Sequence, residues 1–281
     1  MLNILLFSRP QAYGQDGYVP GGPKLAYWEL GDSGDVLIIL HGGPCASHEY
    51  LRPEFDELSK VARIIYYDQR GCGKSDRAET YNWQDHVNEL HRVVNRFTEN
   101  HEVFLAGSSW GSVLAILYTY YYPYGIKGII LSGTVPWDGT GQKLEEVELL
   151  DTESTQIRLN EHIISEKRKI ERTDASTPTD SEYQDISRII RITAGPQSTN
   201  PLWSLKSAPP FSKLERINLP SFLIFRGLQQ NKYGIPDWGH IYDAVFPKSE
   251  LITLENAGHD PWLANPELFF DKAKEFIINN R

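Results

Sequence analysis

Apolar positions along the chain fall into short solid runs and longer periodic stretches, and the two kinds alternate. The solid runs are Val36–Leu40 (VLIIL) and Val103–Ala106 (VFLA); strands are also read at Arg63–Tyr67 (RIIYY), Ile126–Ser132, Ser221–Phe225 (SFLIF) and Ser249–Leu254. A run this short with no polar face predicts a strand buried on both sides. The periodic stretches predict helices. Tyr50–Val61 is amphipathic. Trp83–Thr98 carries Val87, Leu90, Val93, Val94 and Phe97 at helical spacing. Val113–Tyr118 is a helical run that stops at Pro123, and Pro266–Asn279 puts Leu268, Phe269, Ala273, Phe276 and Ile277 on one side. Ahead of these, Gly17–Leu30 reads as two strands around a Pro/Gly turn, a hairpin at the start of the sheet. Strand alternating with helix predicts an α/β protein with a mostly parallel, doubly wound sheet covered on both faces.

The pattern breaks at Pro136. Gln142–Glu171 is highly charged and helical in propensity, Arg172–Asp180 is a loop, Tyr183–Ile192 a second amphipathic helix, and Gly195–Pro210 is rich in Pro and Ser. We therefore expect a core made of residues 1–136 and 213–281. Residues 137–212 are expected to form a helical cap, inserted before the last two strands and lying over the C-terminal edge of the sheet.

Composition narrows the function classes. The chain has 281 residues, 40% hydrophobic and 23% charged, which is an ordinary globular balance. A net charge of −9 argues against nucleic acid or an anionic membrane as partner. Two cysteines, Cys45 and Cys72, make no disulfide framework and suggest a reducing compartment. The opening MLNILLFSRP has no basic region and too short an apolar run for a signal peptide, and no stretch reaches the ~20 apolar residues of a membrane span. The expectation is a cytoplasmic protein with no cofactor and no metal.

The candidate chemistry sits at the ends of the predicted strands, where ligands bind in open α/β sheets. After Val103–Ala106 comes Gly107-Ser108-Ser109-Trp110-Gly111, a G-x-S-x-G between a strand and a helix. That is the setting of a nucleophile elbow, with Ser109 lifted clear of the sheet. After Val36–Leu40 comes His41-Gly42-Gly43-Pro44, whose glycines let backbone N–H groups approach a developing oxyanion. The two donors are assigned to the N–H groups of Gly43 and Trp110, and His41 is read as a packing and hydrogen-bonding residue. After the last strand comes Ala257-Gly258-His259-Asp260-Pro261. A serine hydroxyl needs a base, and His259 is the candidate. Asp68-Gln69-Arg70-Gly71-Cys72-Gly73 is read as a rigid loop whose side chains hold neighbouring backbone.

HGGP, DQRGCGKS, GSSWGS and AGH, in this order and at these distances, resemble the proline iminopeptidase branch of the α/β-hydrolase superfamily, as does the opening GYVPGGPKLAYWELG. The resemblance covers Gly17–Pro136 well and Ser221–Arg281 moderately. It implies the α/β-hydrolase fold with a helical cap, a Ser-acid-His triad and an acyl-enzyme route. The chain departs from the pattern in three places. Cys45 stands where the family has glycine after HGGP. The cap lacks the tryptophan-and-glutamate signature that helps hold a free amino terminus. The catalytic aspartate after the strand before the last is missing: SFLIF leads into RGLQQNK, with Asn231 in its place. Asp138, just past Ile126–Ser132, is the first candidate for the acid. Asp237, which also suits a helix N-cap, is the second; a site with no acid, oriented by Asn231, is the third. The expected function is a serine hydrolase acting on a small amide, ester or short peptide. An esterase or lactonase, or a non-hydrolytic ligand binder on the same fold, are the alternatives.

Overall fold

The computed structural model describes residues 15–43, 46–99, 102–134, 208, 220–227, 239–255 and 257–281. Among them is an eight-stranded sheet in the order β1-β2-β4-β3-β5-β6-β7-β8. The strands are β1 (Gly17–Val19), β2 (Leu25–Leu30), β3 (Val36–Leu40), β4 (Arg63–Tyr67), β5 (Val103–Ser108), β6 (Ile126–Ser132), β7 (Ser221–Gly227) and β8 (Ser249–Leu254). β1 pairs antiparallel with β2 and β2 with β4; every later pairing is parallel. The helices are α1 (Trp83–Phe97), α2 (Trp110–Tyr121), α3 (Gly239–Val245), α4 (Pro261–Ala264) and α5 (Pro266–Asn279).

The solid apolar runs divide between two cores because successive side chains on a strand point to opposite faces. Val36, Ile38, Leu40, Leu105, Ile129, Leu131, Phe222 and Ile224 join α1 and α2 on one face. Leu37, Ile39, Phe104, Ala106, Ile130, Leu223 and Phe225 join α4 and α5 on the other. β3 and β5 therefore carry no polar side of their own, whereas β8 leaves Glu250 and Thr253 exposed.

Two expectations need correction. Tyr50–Val61 is not one helix: His48–Leu51 and Glu54–Lys60 are separate 3-10 segments. Pro53 lies between them, and the residue before a proline is pushed out of the helical region, as Arg52 is at φ −103°, ψ 148°. In α5 the buried face is Phe269, Phe270, Ala273, Phe276 and Ile277, while Leu268 is 38% exposed. The helix is rotated from the phase read in the sequence, with Phe270 packed on Phe55 at 5.4 Å between ring centroids. The cap, apart from Ala208, lies outside the described residues, and so do Cys45, Asp138, Asn231 and Asp237.

Candidate active site

Ser109 stands where β5 turns into α2, at φ 55° and ψ −120°, and is the single non-glycine residue with positive φ among the described residues. Such a backbone costs on the order of 1–3 kcal/mol and persists only where the surroundings impose it. Here they do. A Cβ on Gly107 would run into the carbonyl of Gly111, and one on Gly111 into the carbonyl of Leu40. The strand and the helix are thus closer than any side chain between them would allow. The Ser109 amide donates to the Ser132 carbonyl at 3.0 Å, which ties the turn to the end of β6. Trp110 is the first residue of α2, so its backbone N–H has no partner within the helix, and the positive end of the helix faces the turn.

The loop after β3 closes over this turn. The position a Cβ on Gly42 would occupy is 3.0 Å from Ser109 Cβ and 2.9 Å from the Tyr50 hydroxyl. Gly42 is held at both ends of its backbone: its N–H donates to Tyr50 Oη at 2.7 Å, and its carbonyl lies 2.7 Å from His41 Nδ1. The Gln69 N–H donates to His41 Nε2 at 2.9 Å, so the His41 proton is on Nδ1 and is given to the Gly42 carbonyl. Burial holds the His41 pKa below its ordinary value, with the Asp68 charge and the Gly42 bond acting in the opposite direction. A neutral ring with both nitrogens committed cannot serve as base, in agreement with the structural role expected for it. Burial, and then the nearby Asp260 carboxylate, raise the Tyr50 pKa, so this phenol keeps its proton.

The loop after β4 is built as expected, with partners the sequence did not name. Asp68 accepts from the His48 backbone at 3.0 Å and lies 2.9 Å from His48 Nδ1, while its other oxygen accepts from the Lys74 amide at 2.8 Å. Burial alone would raise its pKa, but the His48 contacts win and hold it below the usual carboxylate range. Arg70 reaches Glu89 and Asp85 at 2.6 and 2.8 Å, anchoring the loop to α1. These pairs join residues far apart in sequence, and no spacing rule finds them.

His259 is 2% exposed. It packs on Gly133, which follows β6 at φ +54°: Cε1 and Nδ1 of its ring lie 3.2 and 3.3 Å from where a Gly133 Cβ would stand. Ser109, the Gly42–Gly43 loop, Trp110 and His259 therefore gather at the C-terminal ends of β3, β5, β6 and β8. Asp138 cannot be added to that set, because it lies outside the described residues. Gln69 and Tyr50 are the contributors that sequence reasoning missed. Gln69 was visible as a polar residue at a strand end; Tyr50 was hidden inside an expected helix. Among the described residues, no group of three or more His, Cys, Asp or Glu side chains could hold a metal ion.

The alpha/beta hydrolase fold family matches residues 35–266. The chain belongs to that family. It is 28% identical over 282 residues to a proline iminopeptidase of Heyndrickxia coagulans, covering 91% of this chain and 96% of that one. A proline iminopeptidase of Saccharolobus solfataricus is 25% identical over 263 residues, covering 86% and 84%. Among solved structures, an esterase from Exiguobacterium antarcticum superposes with a TM-score of 0.67 at 20% identity, over 91% of this chain and 96% of that chain. The chain is thus a hydrolase that resembles proline iminopeptidases, on the fold its sequence predicted. Among the described residues no helix is long and apolar enough to cross a membrane.

Proposed function

We propose that this hydrolase cleaves a small amide or ester through an acyl-enzyme on Ser109. The observation that carries the reading is the strained backbone of Ser109, held at the strand-to-helix turn beside a glycine loop and the N-terminus of α2. His259 takes the Ser109 proton as the hydroxyl attacks the carbonyl carbon, and later returns it to the leaving group. The N–H groups of Gly43 and Trp110 receive the negative oxygen of the tetrahedral intermediate. Water, deprotonated by the same histidine, then releases the acyl group.

For the acid we propose Asp138. Support comes from the His259 ring, whose Nδ1 edge packs at the end of β6 against Gly133, five residues before Asp138 in the chain. A carboxylate there would hold the ring in the tautomer that leaves Nε2 ready for the serine proton. Residues 137–212 are proposed as the cap that shapes the substrate pocket.

The named activity of the curated relatives makes peptides with N-terminal proline the first substrates to try. Prolyl p-nitroanilide, its N-acetyl form and p-nitrophenyl acetate should be compared, with fluorophosphonate labelling of Ser109 in parallel. Turnover of the free prolyl amide above the acetylated one supports aminopeptidase specificity. Turnover of the acetate alone moves the reading to an esterase. Absence of labelling at Ser109 rejects the serine mechanism.

A further inference from the structure

Each of the two proposed oxyanion donors sits on a different strand end, and one side chain joins the two. Gln69 is 1% exposed and lies among His41, His86 and Trp110, all buried. Its Oε1 accepts the Trp110 indole N–H at 2.8 Å and lies 3.0 Å from His86 Nδ1. Its Nε2 donates to the His41 carbonyl at 2.8 Å, and its backbone N–H to His41 Nε2 at 2.9 Å. The indole can only donate and the carbonyl can only accept, so the amide has one workable orientation and His86 must donate from Nδ1. Burial, then the Arg70 charge, keep the His86 pKa well below its ordinary value, so the ring stays neutral.

We infer that Gln69 is the positioning residue that sets both halves of the oxyanion hole at once. This rests on the Ser109 acyl-enzyme reading above. Through His41, whose carbonyl its side chain holds, it fixes the Gly42 carbonyl, which accepts from His41 Nδ1 at 2.7 Å, and therefore the plane of the Gly42–Gly43 peptide. A trans peptide directs its N–H opposite its carbonyl, so holding the Gly42 oxygen on His41 turns the Gly43 N–H away from that ring. Through the indole it fixes Trp110, whose backbone N–H is the other donor. A primary amide is the side chain that can accept from an indole and donate to a carbonyl in one plane. A carboxylate lacks the donor, and a thioether offers neither a donor nor a strong acceptor. Preorganised donors matter because misplacing one by a fraction of an ångström weakens the transition state and not the bound substrate.

The test uses the full chain with p-nitrophenyl acetate and a fluorophosphonate. Gln69→Met and Gln69→Glu should each lower kcat about 10- to 100-fold with KM within about twofold, and slow fluorophosphonate labelling by a similar factor. The introduced carboxyl would face neutral His41 and His86, with Asp68 and Arg70 on its own loop and Glu89 and Asp85 of α1 neutralising Arg70. Once protonated it again offers one donor and one acceptor. The ratio of Gln69→Glu to wild-type activity should therefore rise as the pH is lowered towards 5, while that of Gln69→Met stays flat. Unchanged kcat and labelling, a rise in KM alone, or flat ratios for both variants would overturn the inference. If neither variant folds, Trp110→Phe removes the indole bond and keeps the backbone donor. It should cost several-fold in kcat and labelling rate, and full retention would overturn the inference. Ser109→Ala run alongside separates the two readings. Loss of labelling there with normal Gln69 variants condemns the positioning role alone, whereas a fully active Ser109→Ala condemns the acyl-enzyme.

Discussion

The ends of β3, β4 and β5 and the ends of β6, β7 and β8 support the site in different ways. On the first side the backbone is held by side-chain hydrogen bonds: Tyr50 and His41 on Gly42, Gln69 on His41 and Trp110, Asp68 on His48. On the second side, where Ser112 Oγ also donates to the Ser132 carbonyl at 3.0 Å, close backbone approach is prominent. His259 lies against Gly133, and Gly227 lies so close to Ala257 and Gly258 that a Cβ would meet their carbonyls. A hydrogen-bonded frame is sensitive to the loss of a donor or acceptor. A frame of close backbone approach is sensitive to added bulk.

Predictions follow from the attempt to break each side, in order of effect. Ser109→Ala, where the two sides meet, should lower kcat by on the order of 10⁴-fold or more with the fold intact, measured on p-nitrophenyl acetate and by circular dichroism. If Asp138 is the acid, as proposed above, Asp138→Asn should cost roughly 10²- to 10⁴-fold in kcat, because His259 would adopt the wrong tautomer. Asp237→Asn should then change rate and stability little, because asparagine caps a helix about as well as aspartate. Exchange of these two results would move the acid to Asp237, and no effect from either would leave His259 without a carboxylate partner.

Gly133→Ala tests the contact side without removing a functional group. Its φ of +54° is unfavourable for alanine, and the new methyl meets the His259 carbonyl. We expect a loss of at least ~1 kcal/mol in stability, read from urea unfolding, and about a tenfold or larger drop in kcat with KM little changed. Normal kinetics would mean that His259 does not depend on this packing.

The smallest effect concerns pH and the hydrogen-bonded side. His41 and His86 have pKa values lowered in the folded state, chiefly by burial. Each contributes stability that is present above the unfolded imidazole value of about 6.5 and is lost as pH falls from there through the folded values. Asp68, also lowered, extends the loss below the ordinary carboxylate range of about 3.9. Tm should be flat from pH 8 to 7 and decline below about 6.5, and His86→Gln should make the decline shallower. An unchanged slope would remove His86 from the account.

By itself the sequence determined the strands, the two-sided sheet, the elbow around Ser109, the glycine loop at Gly43 and the late His259. These depend on periodicity and on residues a few positions apart, and local patterns carry that information. It also showed that RGLQQNK lacks an aspartate. Tertiary structure alone decided that Gln69, His86 and Trp110 share one amide, that Tyr50 holds Gly42, and that His259 rests on Gly133. Those partners lie 41, 17 and 8 positions apart in the first three contacts. The sheet brings strand ends together in the order β4-β3-β5-β6. No spacing along the chain encodes which donor meets which acceptor across that edge, because the match is made by the packing of the strands.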